Sequence, residues 1–268
     1  MKMTFFALCF VTVLFGQAPR TREIDDLNWM EFKDLVLSKI QTVLIPTGTV
    51  EAHGVTHNGT DNTIPTAIAR RIAPSLNALV APTLNYGITG SLEAFAGGIT
   101  ISDDAYRLFV RDILRGFARH GMKNLIIING HGGNTAALNA VAEEVGRSER
   151  VRTLIVNWWT FCGDLTLKVF GEDGGHAGWN ETAMVQATHP HLVRKELYSE
   201  KLATARATSG SWTAFPFPSS IILYQPKQGY VQFDEVKAKQ YFNSCSDKIG
   251  SLGQEVIDKW NLAGLYLK

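Results

Sequence analysis

Leu125-Ile126-Ile127-Ile128-Asn129-Gly130-His131-Gly132-Gly133-Asn134 is an unbroken apolar run followed by a glycine turn that carries one histidine, and Thr135-Ala136-Ala137 then opens an alanine-rich helical pattern. A short apolar run without polar alternation suits a strand buried on both faces. The order strand, glycine turn, helix is the repeating unit of a mostly parallel α/β sheet. In such sheets ligands bind beyond the carboxyl ends of the strands, where glycines let the backbone bend sharply beside them. His131 stands at that place, which makes it a candidate metal ligand or base.

Upstream, a second apolar run, Thr42-Val43-Leu44-Ile45-Pro46, leads into Glu51-Ala52-His53-Gly54 and then Gly59-Thr60-Asp61, with a helix expected from about Thr63-Ile64-Pro65. Residues two apart in extended backbone point the same way, so Glu51 and His53 can address one centre. Downstream, His176-Ala177-Gly178-Trp179-Asn180-Glu181-Thr182 places another histidine and carboxylate at a loop-to-helix junction. Taken singly, each has a plainer explanation: Asp61 just before a helix, Glu181 in the first turn of one capped by Asn180, the histidines solvated in turns, and Trp159 in the core. Three junctions offering mixed oxygen and nitrogen donors point instead to zinc, manganese or iron rather than calcium or magnesium. His57, His120, His189 and His191 lack such company and read as surface or structural residues.

Helical patterns run over Trp29–Ser38, Ile64–Leu76, Asp103–His120, Thr135–Arg147, Glu181–Thr188 and Asp234–Trp260, alternating with strands that include Leu79–Pro82 and Leu154–Asn157. This predicts a three-layer α/β/α sandwich with a mostly parallel sheet, in a single domain over 19–268. A chain of 268 residues of this kind can bury a sizeable core. Lys plus Arg number 26 against 25 for Asp plus Glu, a net charge of +1, with no basic stripe interleaved with aromatics, so a nucleic-acid partner is not expected. Lys2 and the apolar run Phe5 to Phe15, followed by Gly16-Gln17-Ala18, read as a signal peptide over 1–18 and not a stable membrane anchor; the chain is then exported, periplasmic or secreted. Cys9 would leave with it. Cys162 and Cys245 would remain, free or paired. The irregular stretch from Ser209 to Gly229, with Trp212, Phe215, Phe217 and three prolines, reads as buried packing, a pocket rim or a subunit contact.

In their order along the chain, Thr47-Gly48-Thr49-Val50-Glu51-Ala52-His53-Gly54, the Gly-Thr-Asp at Asp61, the Asn-Gly-His at His131, the His-Ala-Gly at His176 and the Glu-Thr at Glu181 resemble the creatininase family of binuclear metal hydrolases. Tyr86-Gly87 and Phe95-Ala96-Gly97-Gly98 followed by Ile99-Thr100-Ile101-Ser102 echo it more weakly. The resemblance implies Glu51 and His131 as ligands of one ion, His53 of the other and Asp61 as the bridge between two divalent ions. Members with creatininase activity carry a glutamate where this chain has Gly133, so Glu181 is expected to supply the missing carboxylate. It also implies a homo-oligomer, commonly a hexamer.

The expected reaction is hydrolysis of a non-peptide carbon–nitrogen bond, in a cyclic or linear amide of a small-molecule substrate, by a metal-bridging hydroxide. His176 and Glu181 are the catalytic candidates, His176 as the proton shuttle to the leaving group, and Trp159 and Asn134 the substrate-binding ones. A His53–Asp61 loop one residue shorter than the family's, and Glu172 in place of a tryptophan that covers the substrate, argue against creatinine itself. Two alternatives stay open: a metal-dependent carbon–carbon hydrolase acting on a keto-cyclitol or sugar-like ketone, and a non-catalytic binding protein that retains the fold.

Overall fold

The structure is a computed structural model and describes residues 18–172, 174–199, 214–216 and 233–266. Among these, four parallel strands, β1 (Thr42–Thr47), β2 (Ala78–Val80), β3 (Asn124–Asn129) and β4 (Arg152–Asn157), line up in the order β2-β1-β3-β4. Pairing is in register from Thr42 opposite Asn124 to Thr47 opposite Asn129, and from Asn124 opposite Arg152 to Asn129 opposite Asn157. β1, β2 and β3 are buried along their whole length, as their uninterrupted apolar runs require.

Successive strand residues point to opposite faces, and they build two cores. Val43, Ile45, Leu79, Leu125 and Ile127 pack with α1 (Trp29–Ser38), α3 (Asp103–Arg119) and α4 (Thr135–Ser148). Leu44, Val80, Ile126, Ile128 and Val156 pack with α2 (Thr60–Ile72), α7 (Trp179–Thr188) and α8 (Glu235–Leu262). The result is the three-layer α/β/α arrangement read from the sequence. Each edge helix has a stop or start written locally: Asn28 and Glu31 close a capping box on α1, and Asp234 accepts from Val236 and Lys237 at the start of α8.

Several boundaries differ from expectation. α2 begins at Thr60, so Asp61 lies in its first turn and not before it. β2 ends at Val80, short of Pro82. Two short helices that the sequence patterns did not include, α5 (Trp158–Phe161) and α6 (Gly163–Phe170), follow β4, and Trp159 lies on the first of them. α7 begins at Trp179; Asn180 is its second residue, and its side chain accepts from Gly175 N at 3.3 Å instead of capping the helix. Cys162 and Cys245 form a disulfide that ties the α5–α6 junction to α8. Residues 1–17, and Trp212 and Phe217 of the aromatic stretch, lie outside the described residues. No described helix is long and apolar enough to cross a membrane.

Candidate metal centre

The strand order places the centre. From β1 the chain steps to β2 on one side, and β3 then lies on the other, so the crevice between the carboxyl ends of β1 and β3 is a topological switch point. The loop after β1 supplies Glu51 and His53, the first turn of α2 supplies Asp61, and the loop after β3 supplies His131. Close packing of these loops depends on two glycines. A Cβ on Gly48 would lie 2.2 Å from the Asp61 carbonyl oxygen and one on Gly130 2.0 Å from it, so any side chain there would push the start of α2 away. The 174–178 turn ahead of α7 adds His176, and α7 itself adds Glu181.

Asp61 is the hub. Its Oδ1 is 2.9 Å from His53 Nε2, and its Oδ2 is 2.9 Å from His131 Nδ1. On the His131 side, Glu51 Oε1 lies 3.3 Å from His131 Nδ1. On the His53 side, Glu181 Oε2 lies 3.6 Å from His53 Nε2. Two donor sets, Glu51–Asp61–His131 and His53–Asp61–Glu181, thus share one carboxylate, and all of these residues are buried. His176 Nδ1 is 3.5 Å from Glu51 Oε1, its ring is 4.3 Å from that of His53, and it forms a further set with Glu51 and His53.

Each imidazole is oriented by a backbone carbonyl. His53 Nδ1 lies 3.2 Å from Glu51 O, His131 Nε2 2.9 Å from Ile88 O and His176 Nε2 2.6 Å from Ala52 O. A carbonyl can only accept, so that nitrogen carries the proton and the other, which faces the carboxylates, is bare in the neutral ring. This is the outer arrangement that metal-ligating histidines adopt.

The electrostatics follow from crowding three carboxylates and three imidazoles into a buried space. Burial opposes a charge on His53, but the fields of Asp61, Glu181 and Glu51 outweigh it and raise its pKa to about 10. Burial likewise opposes the charge on His131, and Asp61 and Glu51 overcome it, holding its pKa well above the usual imidazole value. Burial works to raise the Asp61 pKa, but His53 and His131 reverse it and hold the carboxyl below the usual range. Burial, reinforced by Asp61 and Glu51, pushes Glu181 up to about 8. His176 is driven down to about 4 by burial and by the neighbouring His53. Positive charge is therefore favoured at this cluster of carboxylates.

The residues fit divalent ions on two grounds. His53 Nε2 and Asp61 Oδ2 are buried atoms that meet no well-aligned hydrogen-bond partner among the described residues. Ligands placed tetrahedrally at about 2.0–2.2 Å from an ion sit roughly 3.3–3.6 Å apart. Within the two sets sharing Asp61, the Glu51–His131 and Glu181–His53 distances of 3.3 and 3.6 Å meet that spacing, and the two Asp61–histidine distances of 2.9 Å are tighter.

Glu51, Asp61, His131, His176 and Glu181 open into a cleft of about 270 Å³ whose wall includes Trp159, Leu92 and Asn180. His53 lies beneath it, fully buried. Asn134 does not reach the cleft, and the expectation of a substrate contact there is corrected. Its side chain is wholly buried, accepting from Ile88 N at 3.0 Å and donating to Gly48 O at 3.0 Å, so it ties three loops together. Glu93 and Glu172, the other carboxylates near these loops in sequence, are exposed. Thr89 escaped the sequence reading: its hydroxyl donates to Glu51 Oε2. Its only sequence signal was its place in the Tyr86–Ser102 stretch.

Residues 25–251 match the model of a family described as creatininase, creatinine amidohydrolase. The chain belongs to the creatininase family. That places this creatininase-family chain among metal-dependent amidohydrolases. It is 28% identical over 191 residues to the creatinine amidohydrolase of Pseudomonas putida, covering 63% of this chain and 73% of that enzyme. To the mycofactocin precursor peptide peptidase of Mycobacterium tuberculosis it is 35% identical over 166 residues, covering 58% of this chain and 61% of the peptidase. Its fold superposes on a manganese creatininase with a TM-score of 0.75 and 25% identity, over 88% of this chain and 98% of that one.

Proposed function

We propose that the chain hydrolyses a non-peptide amide, cyclic or linear, with two divalent ions drawn from zinc, manganese and iron. Glu51 and His131 hold one ion, His53 and Glu181 the other, and Asp61 both. The observation that carries this reading is the convergence of two donor sets on the single Asp61 carboxylate. When bound, such ions polarise a carbonyl and lower the pKa of water from ~15.7 to about 7. Three carboxylates against two divalent ions leave a charge that one hydroxide neutralises, so no further acidic residue is required.

His176 moves the proton. With its Nε2–H held by the Ala52 carbonyl, its Nδ1, bare in the neutral ring and 3.5 Å from Glu51 Oε1, would take a proton from the attacking water and return it to the departing nitrogen. An amide nitrogen leaves poorly unless protonated, so this transfer is the step the chain itself must supply. Trp159 offers a flat apolar wall against which the substrate lies. A cleft of about 270 Å³ suits a small molecule.

Export belongs to the same proposal, supported by the Lys2–Ala18 pattern and by a disulfide, a bond that persists in oxidising compartments. So does self-association, supported by exposed Phe215 and by exposed Trp29 and Met30 on α1, where an apolar groove lies between α1 and α3. The test is a turnover screen of the metal-loaded chain against lactams, formamides and keto-cyclitols, with metal content measured in parallel for Asp61→Ala. Amide turnover by the parent and loss of both ions in the variant are expected. Normal metal content in Asp61→Ala refutes the ligand assignment, and turnover of keto-cyclitols alone refutes the reaction.

A further inference from the structure

The stretch from Tyr86 to Ser102 contains no helix or named strand, yet it reaches the centre through two successive residues. The Ile88 carbonyl accepts from His131 Nε2 at 2.9 Å. Thr89, only 1% exposed, donates its hydroxyl to Glu51 Oε2, while the other oxygen of that carboxylate, Oε1, faces His131 Nδ1 at 3.3 Å. The two side chains gripped in this way both belong to the Glu51–Asp61–His131 set. The outer contacts of the other set come from elsewhere: His53 Nδ1 from the Glu51 carbonyl, and Glu181 Oε2 from Ala177 N.

We propose that Thr89 is a positioning residue for one metal site alone, turning Glu51 so that Oε1 faces the ion while the Ile88 carbonyl sets His131 beside it. This rests on the two-ion reading above. Thr89 can do this because its backbone is itself pinned. Ile88 N donates to Asn134 Oδ1 at 3.0 Å, Thr89 N to Thr100 Oγ1 at 2.9 Å, Ile101 N to Gly87 O at 3.0 Å and Ile99 N to Val50 O at 3.0 Å. The last of these ties the stretch to the residue preceding Glu51. A carboxylate with one oxygen engaged by a hydroxyl keeps that oxygen turned from the ion and presents the other. Without the hydroxyl, Oε2 is a buried acceptor with no donor, and the carboxylate rotates or draws in a proton to satisfy it.

The experiment is a competition titration of zinc against a chromophoric chelator, using the full chain as parent, Thr89→Val and Thr89→Ser. Valine keeps the shape of threonine and removes the hydroxyl; serine keeps the hydroxyl. The parent should show two sites. Thr89→Val should weaken one of them by about 10- to 100-fold, the usual effect of removing an outer partner of a metal ligand, and leave the second unchanged. Thr89→Ser should retain both. Thr89→Ala, which adds no apolar bulk beside the carboxylate, gives the same reading should valine prevent folding. Unchanged affinities in the folded valine or alanine variant, equal weakening of both sites, or a serine variant as weak as valine each overturns the proposal. A parent chain that binds none of zinc, manganese and iron in the same titration refutes the two-ion reading itself, and the role of Thr89 falls with it.

Discussion

Adding zinc to the metal-free chain at pH 7 is expected to release about three protons. His53 holds a proton up to about pH 10, His131 to well above the usual imidazole value and Glu181 to about 8, so each is protonated at neutrality. Ligation needs neutral imidazole and ionised carboxylate, so filling both sites expels one proton from each. His176, driven down to about 4, has none to give. One proton is worth about 1.36 kcal/mol per pH unit, so three make the combined free energy of filling both sites weaken by about 4 kcal/mol from pH 7 to pH 6, roughly 10³-fold in the product of the two affinities. At pH 9 Glu181 is already ionised, and the release falls by about one. Calorimetry in two buffers of unlike ionisation enthalpy, at pH 7 and pH 9, counts these protons directly. A water activated to a pKa of about 7 adds about half a proton at pH 7 and about one at pH 9, so the fall is read against Glu181→Gln, whose count should rise over the same interval. Net release near zero, or no fall between pH 7 and pH 9 relative to that variant, refutes the reasoning.

In chelator, the ion pairs of His53 and His131 stabilise the chain fully below the unfolded imidazole value of about 6.5 and are lost as pH rises towards about 10, so the urea midpoint of the metal-free protein should fall over that window; a flat or rising profile contradicts the cluster as described. His176→Ala should retain its metal while turnover slows by about 10²-fold or more, read from metal analysis beside initial rates; loss of metal instead makes His176 a ligand. Asn134→Ala strands the Ile88 N–H and the Gly48 carbonyl in the interior, at about 1–3 kcal/mol for each orphaned group, and denaturant unfolding should register a loss of that order. The Cys162→Ala, Cys245→Ala pair opens a link spanning 83 residues, for which chain entropy gives a loss of about 4–5 kcal/mol; calorimetric unfolding of the variant should show it, and an unchanged unfolding temperature would count against it.

Periodicity carried most of the fold, because β1 and β3 are apolar on both faces and α3 and α4 repeat their buried positions at helical spacing. It missed α5 and α6, whose aromatic sequence from Trp158 to Phe161, broken by Gly163, carries no clear helical stripe. The start of α2 was misplaced because Gly59 supplies no side-chain cap and Thr60 bonds backwards to Thr56 and His57. Of the centre, the ionisable members were legible because carboxylates and imidazoles are rare together at strand ends. What could not be read was the part played by neutral groups: the carbonyls of Glu51, Ala52 and Ile88 leave no trace in residue type, and Thr89 looks like any loop threonine. Asn134 was legible as polar but not as inward-facing, since only the meeting of three loops decides that.

The sharing of Asp61 between segments far apart in the chain has a consequence for how long the protein lasts. Residues 51–61, 131 and 181 come together only once both faces of the sheet are packed, so an ion that binds them binds the folded chain and has no equivalent site in the unfolded one. At a free concentration a thousand times its dissociation constant, a single such ion adds about 4 kcal/mol to stability, a large part of what a domain has in total. Metal scarcity would then act first on abundance: chains left empty open more often, meet proteases more often and are cleared, and the surviving population stays enriched in filled centres.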